Sequence, residues 1–130
     1  MRTIQDVIEK FGIKFSKKFA RANRLGHGTY HNVYRCRMSV NGKVLRFTFN
    51  DSVNNYCDDI VSPDHRMIES IFEDAIDYES SINFDEFLSN YPDISHKKAR
   101  VMYETEKKYS EYFKDVFGDE YGKVRNIFLR

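Results

Sequence analysis

The chain has 130 residues, 41% hydrophobic and 15% aromatic, with eleven Phe and nine Tyr. That is enough apolar material for one core without disulfides or a structural metal, and too little chain for two, so a single domain over 1–130 is expected and disorder is excluded. The net charge of +1 conceals a division: residues 1–49 carry eleven Lys and Arg against two acids, 50–94 carry only Arg66 against twelve acids, and 95–130 carry nine bases against six acids. Such asymmetry concerns partners rather than fold.

Residues 4–11 place Ile4, Val7, Ile8 and Phe11 at helical spacing behind Thr3, an N-cap residue type, and Gly12 ends the pattern. Ile13 to Lys17 alternates apolar and polar, which predicts a half-buried strand running towards Phe19, and Asn23 to Gly28 reads as a loop. Two β-rich runs follow, Tyr30 to Val40 and Lys43 to Val53, joined by Asn41-Gly42, the preferred type I′ hairpin turn. A two-residue turn fixes the register. Val40 then faces Lys43, Met38 faces Leu45, Cys36 faces Phe47 and Tyr34 faces Phe49, an apolar side suited to the core. The other side pairs Ser39 with Val44, Arg37 with Arg46, Arg35 with Thr48 and Val33 with Asn50, so three arginines converge on it.

Ser62-Pro63 supplies an N-cap and a first helical proline. Behind them Ile68, Ile71, Phe72, Ala75 and Ile76 form the stripe of an amphipathic helix over 63–79, with Glu69, Glu73, Asp74, Asp77 and Glu79 on its acidic outer face. Asn83 and Glu86 resemble a capping box for a short helix bearing Phe84, Phe87, Leu88 and Tyr91, stopped by Pro92. Ser95 caps the longest helix, 96–117, in which Ala99, Met102, Tyr103, Glu106, Tyr109, Phe113, Val116 and Phe117 keep a near-heptad rhythm until Gly118. Tyr121, Val124, Ile127 and Phe128 predict a helical or extended tail folding back. The fold expected is α+β, a small antiparallel sheet of two to three strands whose apolar face packs against helices 63–79 and 96–117. Within it, 1–53 is a helix plus a basic hairpin region, 54–94 an acidic helical region, and 95–130 the long helix and tail.

The motifs with chemical content are few. Leu25-Gly26-His27-Gly28-Thr29-Tyr30-His31 looks like the glycine-rich phosphate loop of protein kinases, but His31 replaces its third glycine and no catalytic-loop or metal-binding motif follows. His27, His31, His65 and His96 with Cys36 lack clustered metal-ligand spacing. Asp58-Asp59 and Asp85-Glu86 read as solvated pairs or helix N-termini rather than a catalytic dyad. No nucleophile sits in an elbow context, so no enzyme, metal or cofactor is expected. Cys36 and Cys57 read as free thiols of a reducing compartment. The start, Met1 to Asp6, has no apolar signal run, and no segment approaches the roughly 20 apolar residues needed to cross a bilayer, so a cytoplasmic protein without membrane contact is expected.

Two candidate binding surfaces remain. Lys14, Lys17, Lys18, Arg21 and Arg24 flank the first strand, and Arg35, Arg37 and Arg46 share a hairpin face, with Tyr30, His31 and Tyr34 near its open end. Of these, Arg35, Arg37, Arg46, Lys17, Lys18 and Arg21 are the candidates for gripping phosphates. Arg37 opposite Arg46 costs stability unless an anion lies between them, and the acidic helix lying across the face is the intramolecular way to supply one. That helix, with Glu69, Glu73, Asp74, Asp77 and Glu79, is the alternative surface, imitating nucleic acid to a basic partner.

Tyr34-Arg35-Cys36-Arg37-Met38, Arg46-Phe47-Thr48-Phe49, the Ser62-Pro63 helix start, Phe84 to Tyr91, Lys97-Lys98-Ala99-Arg100 and Phe117-Gly118 together resemble a family of small proteins encoded by tailed phages and prophages. The resemblance implies no catalytic residue. It implies a phage product in a bacterial cytoplasm that disables a host protein complex by stoichiometric binding, as anti-CRISPR proteins do. The alternative expectation is a nucleic-acid-binding accessory protein that uses the basic hairpin face. The oligomeric state is left open.

Overall fold

The computed structural model describes residues 1–26, 29–52 and 63–129. Their order is α1 (Ile4–Lys10), β1 (Lys14–Gly26), β2 (Thr29–Val40), β3 (Lys43–Ser52), α2 (Pro63–Glu79), α3 (Phe84–Ser89), α4 (His96–Phe117), a 3-10 turn (Gly118–Glu120) and α5 (Tyr121–Phe128). It is an α+β fold with one three-stranded antiparallel sheet, order β1-β2-β3, and helices in the C-terminal half. Among the described residues no helix is long and apolar enough to cross a membrane. The chain divides into two compact units, Met1–Ile68 and Glu69–Arg130.

In the first unit, Thr3 caps α1 through a reciprocal box. Its hydroxyl accepts from the Asp6 N–H at 3.1 Å while the Asp6 carboxylate accepts from the Thr3 N–H at 3.1 Å, and Val7 is buried on the inner face. Gly12 takes the left-handed φ of 58° that turns the chain into β1. The Asn41-Gly42 turn has φ of 51° and 82°, as a type I′ turn needs. It sets β2 against β3 in the register expected, from Val40 opposite Lys43 to Val33 opposite Asn50. Cys36, Met38, Val40, Leu45, Phe47 and Phe49 are buried on one side. That side is the apolar one.

The first strand is longer than its sequence suggests. Asn23 to Gly26, expected as loop, continue β1: Asn23 pairs with His31, Arg24 with Tyr30 and Gly26 with Thr29. Asn, Arg, Leu and Gly in succession, without alternation, give no local strand signal. Backbone hydrogen bonds to β2 hold them extended all the same. Two bulges, at Ala20 and Leu25, absorb the register shifts. The Ser62 cap, Val53, Cys57, Asp58-Asp59 and His27 lie outside the described residues.

The second unit is built on aromatic rings. Phe72 of α2 stacks on Phe113 of α4 with centroids 4.3 Å apart and on Phe128 of α5 at 4.1 Å, with Phe117 and Tyr121 further out. Phe84, Phe87 and Ala99 form a second buried cluster with Leu88, Tyr91, Met102 and Tyr103. Asn83 caps α3 by accepting from the Glu86 N–H at 3.0 Å. Glu86 bonds the Ile82 N–H rather than that of Asn83, so the expected box is displaced by one residue. Ser95 caps α4, and Gly118, at φ 53°, ends it.

Candidate functional site

The hairpin register places Arg37 beside Arg46 and Arg35 beside Thr48, and β1 extends both rows: Ser16 pairs with Arg37 and Lys18 with Arg35. A third row is Lys14, Ser39 and Val44. Side chains alternate across a strand, so these nine positions share one side of the sheet. Eight of them are exposed and Ser39 is half-buried. The bulge at Ala20 brings Arg21 opposite Val33, on the Arg35 side, where an unbroken register would have put it on the other. Among the described residues of the first unit no carboxylate pairs with Lys14, Lys18, Arg21, Arg35, Arg37 or Arg46. An open groove of about 630 Å³ runs over this part of the sheet, lined by Ser16, Lys18, Arg35, Arg37, Arg46 and Thr48 together with Lys17, Cys36 and Phe47.

Lys17 is placed differently. It pairs with Cys36, on the opposite side of the sheet, and its ammonium sits 4.6 Å from the centre of the Tyr34 ring. Tyr34 pairs with Phe49 and meets Phe19 edge-on, so it too lies opposite the arginines rather than among them. The side chains of Tyr30 and His31 lie outside the described residues. Burial pushes the Cys36 thiol up, against the opposing pull of Lys17, which leaves a poorly reactive packing residue.

The five acids expected on the outer face of α2 do not form one free surface. Glu73 is exposed, while Glu69, Asp74, Asp77 and Glu79 are half-buried. Glu79 is a hub of the second unit. Tyr121 donates to it at 2.6 Å, Ser110 at 3.0 Å and Arg125 at 3.2 Å, with the Lys114 ammonium at 3.6 Å. Burial alone would raise its carboxyl, but those hydrogen bonds and charges outweigh burial and hold it below the ordinary range. Asp77 accepts from the Tyr91 hydroxyl at 2.6 Å, which raises the Tyr91 pKa.

Beside Asp77 lies Glu106 of α4, a residue whose place in the helical rhythm assigns it no role. It is 6% exposed, and burial first, then its hydrogen bond to Asp77 and the charges of Asp77 and Asp74, push it up to about 9. Asp74 is pushed up to about 6 by burial and by its neighbours Asp77 and Glu73. These carboxyls therefore carry less negative charge near neutrality than the sequence counts. A glutamate at a core position of the heptad is the one signal of this cluster that the sequence contains.

No protein-family model, curated protein or solved structure matches this chain. What the site can do follows from its own chemistry. Guanidinium groups on adjacent strands offer forked donors to phosphate oxygens, the lysines add point charges, and Ser16 and Thr48 add neutral donors. Among the described residues no group of His, Cys, Asp and Glu has the arrangement of a metal site. His65 bonds Gln5 at 2.7 Å and His96 packs edge-on against Phe84.

Proposed function

We propose that this chain is a binding protein that engages nucleic acid through phosphate contacts on the cationic side of its sheet. One observation carries the reading. Arg35, Arg37 and Arg46, with Lys14 and Lys18, stand exposed in register on three adjacent strands without a carboxylate paired to any of them among the described residues of the first unit. Repulsion between Arg37 and Arg46 is relieved when a phosphate lies between them. Of the acids that could have made the chain imitate nucleic acid, Asp77 and Glu79 are engaged within the second unit and Asp74 is pushed up to about 6, which favours this surface over the acidic helix. Fluorescence anisotropy with labelled oligonucleotides at low salt tests it. Binding should weaken as salt rises and should be lost when Arg35, Arg37 and Arg46 are all replaced by Gln; a triple variant that folds and binds unchanged overturns the reading.

The phage-family resemblance supports a second reading, stoichiometric inhibition of a host defence complex in a bacterial cytoplasm. The same side of the sheet suits it, because effectors of the CRISPR type carry a guide–target heteroduplex and a displaced single strand whose phosphates a cationic surface can meet. Capture of a host complex from bacterial lysate by the tagged chain, repeated after nuclease treatment, tests this. A complex that never co-purifies rejects it.

A further inference from the structure

Resting on the nucleic-acid reading above, we infer that the ligand of the cationic sheet side is double-stranded DNA, held through both phosphate backbones and without sequence preference. The first support is what the surface lacks. The nine positions Lys14, Ser16, Lys18, Arg35, Arg37, Ser39, Val44, Arg46 and Thr48 contain no aromatic ring. The rings of the three strands that pair within this region, Phe15, Phe19, Tyr34, Phe47 and Phe49, all register on the other side. Binding of unpaired bases draws on aromatic platforms, worth about 1–3 kcal/mol per base stacked. This surface offers single strands only their backbone charge.

The second support is the two-dimensional spread of the cations. Lys14 and Lys18 lie on β1 and Arg46 on β3, two strand spacings apart, roughly 10 Å. A lone backbone path would meet one row of such an array. Two backbones flanking a groove about 12 Å wide, as in the major groove of B-form DNA, bring phosphates to both margins at once, one backbone reached by Lys14, Lys18 and Arg35 and the other by Arg37 and Arg46. A-form RNA has a major groove too narrow for this. Cations and hydroxyls make up nearly all of the surface, and contacts of such side chains to phosphate position a duplex without reading its sequence, so affinity should follow charge rather than sequence.

The test is anisotropy titration of the full chain against a duplex of about 20 base pairs, a scrambled duplex of the same composition, each separated strand and the matching RNA duplex, between about 50 and 200 mM salt. The DNA duplexes should bind about tenfold tighter than either strand or the RNA duplex and within about threefold of each other. Replacing Arg37 and Arg46 together by Gln should reduce the salt slope by about two. Single strands or RNA binding as tightly as duplex DNA, or a preference above about tenfold between the two duplexes, would overturn this inference and leave the proposed function standing. No binding to any probe would sink both.

Discussion

Replacing Arg46 by Thr should make the protein more stable and a weaker binder at the same time. Arg46 stands directly opposite Arg37, and both side chains are exposed. Two like charges about 6 Å apart in water repel by about 0.7 kcal/mol, within the range measured for facing cross-strand pairs. Thr also suits a strand. For a chain of this size, whose unfolding entropy is about 0.27 kcal/mol per degree, the relief amounts to a Tm about 2–3 °C higher at low salt, shrinking as salt screens the pair. The loss of one phosphate contact should cost about 1 kcal/mol of affinity and lower the salt slope by about 0.9. Thermal unfolding by circular dichroism and anisotropy with duplex DNA read the two effects on one sample. A variant with a lower Tm and unchanged binding would show that Arg46 serves the fold rather than a ligand, and would refute the reasoning.

Glu106→Gln tests the carboxyl cluster. The folded protein holds a proton at Glu106 with a pKa of about 9, whereas the ordinary value is 4.5. Its contribution is fully present below about pH 4.5 and is lost as pH rises through about 9, at up to about 1.4 kcal/mol per pH unit. Wild-type Tm should therefore fall between about pH 6 and 9 more steeply than that of Glu106→Gln, which keeps the shape and a donor for Asp77; parallel curves in a pH series would contradict the assignment. Glu79→Gln should destabilise by about 1–3 kcal/mol, measured by urea unfolding at pH 7, because Arg125 loses a charged partner. As pH falls through the lowered Glu79 pKa the wild type should give up that advantage, so a difference that persists undiminished at pH 2 would argue against the hub. Phe72→Ala should cost about 3–5 kcal/mol, since four rings gather on Phe72, and a loss under about 1 kcal/mol in the same assay would show that the stack is not a packing centre.

Short-range rules determined much of this protein from its sequence. Asn41-Gly42 admits one turn, and that turn decides by parity which residues of β2 and β3 face water, so local sequence alone suffices to group the three arginines on one side. Thr3, Asn83, Ser95 and Gly118 mark helix ends because capping is a matter of a few neighbouring backbone groups. Tertiary structure decided what depends on distant partners. Strand β1 runs through Asn23 to Gly26 because β2 supplies hydrogen bonds that no local pattern announces, and a bulge at Ala20 carries Arg21 onto the arginine side while Lys17 stays behind on the Tyr34 side. The acids of α2 look like a free charged face in sequence, yet Glu79 meets Tyr121 and Arg125 from 42 and 46 residues away, and Asp77 meets Tyr91 from 14. A side chain's charge is written in the sequence; whether that charge faces solvent, a ligand or a buried partner is fixed only when the chain brings remote groups within a few ångströms of it.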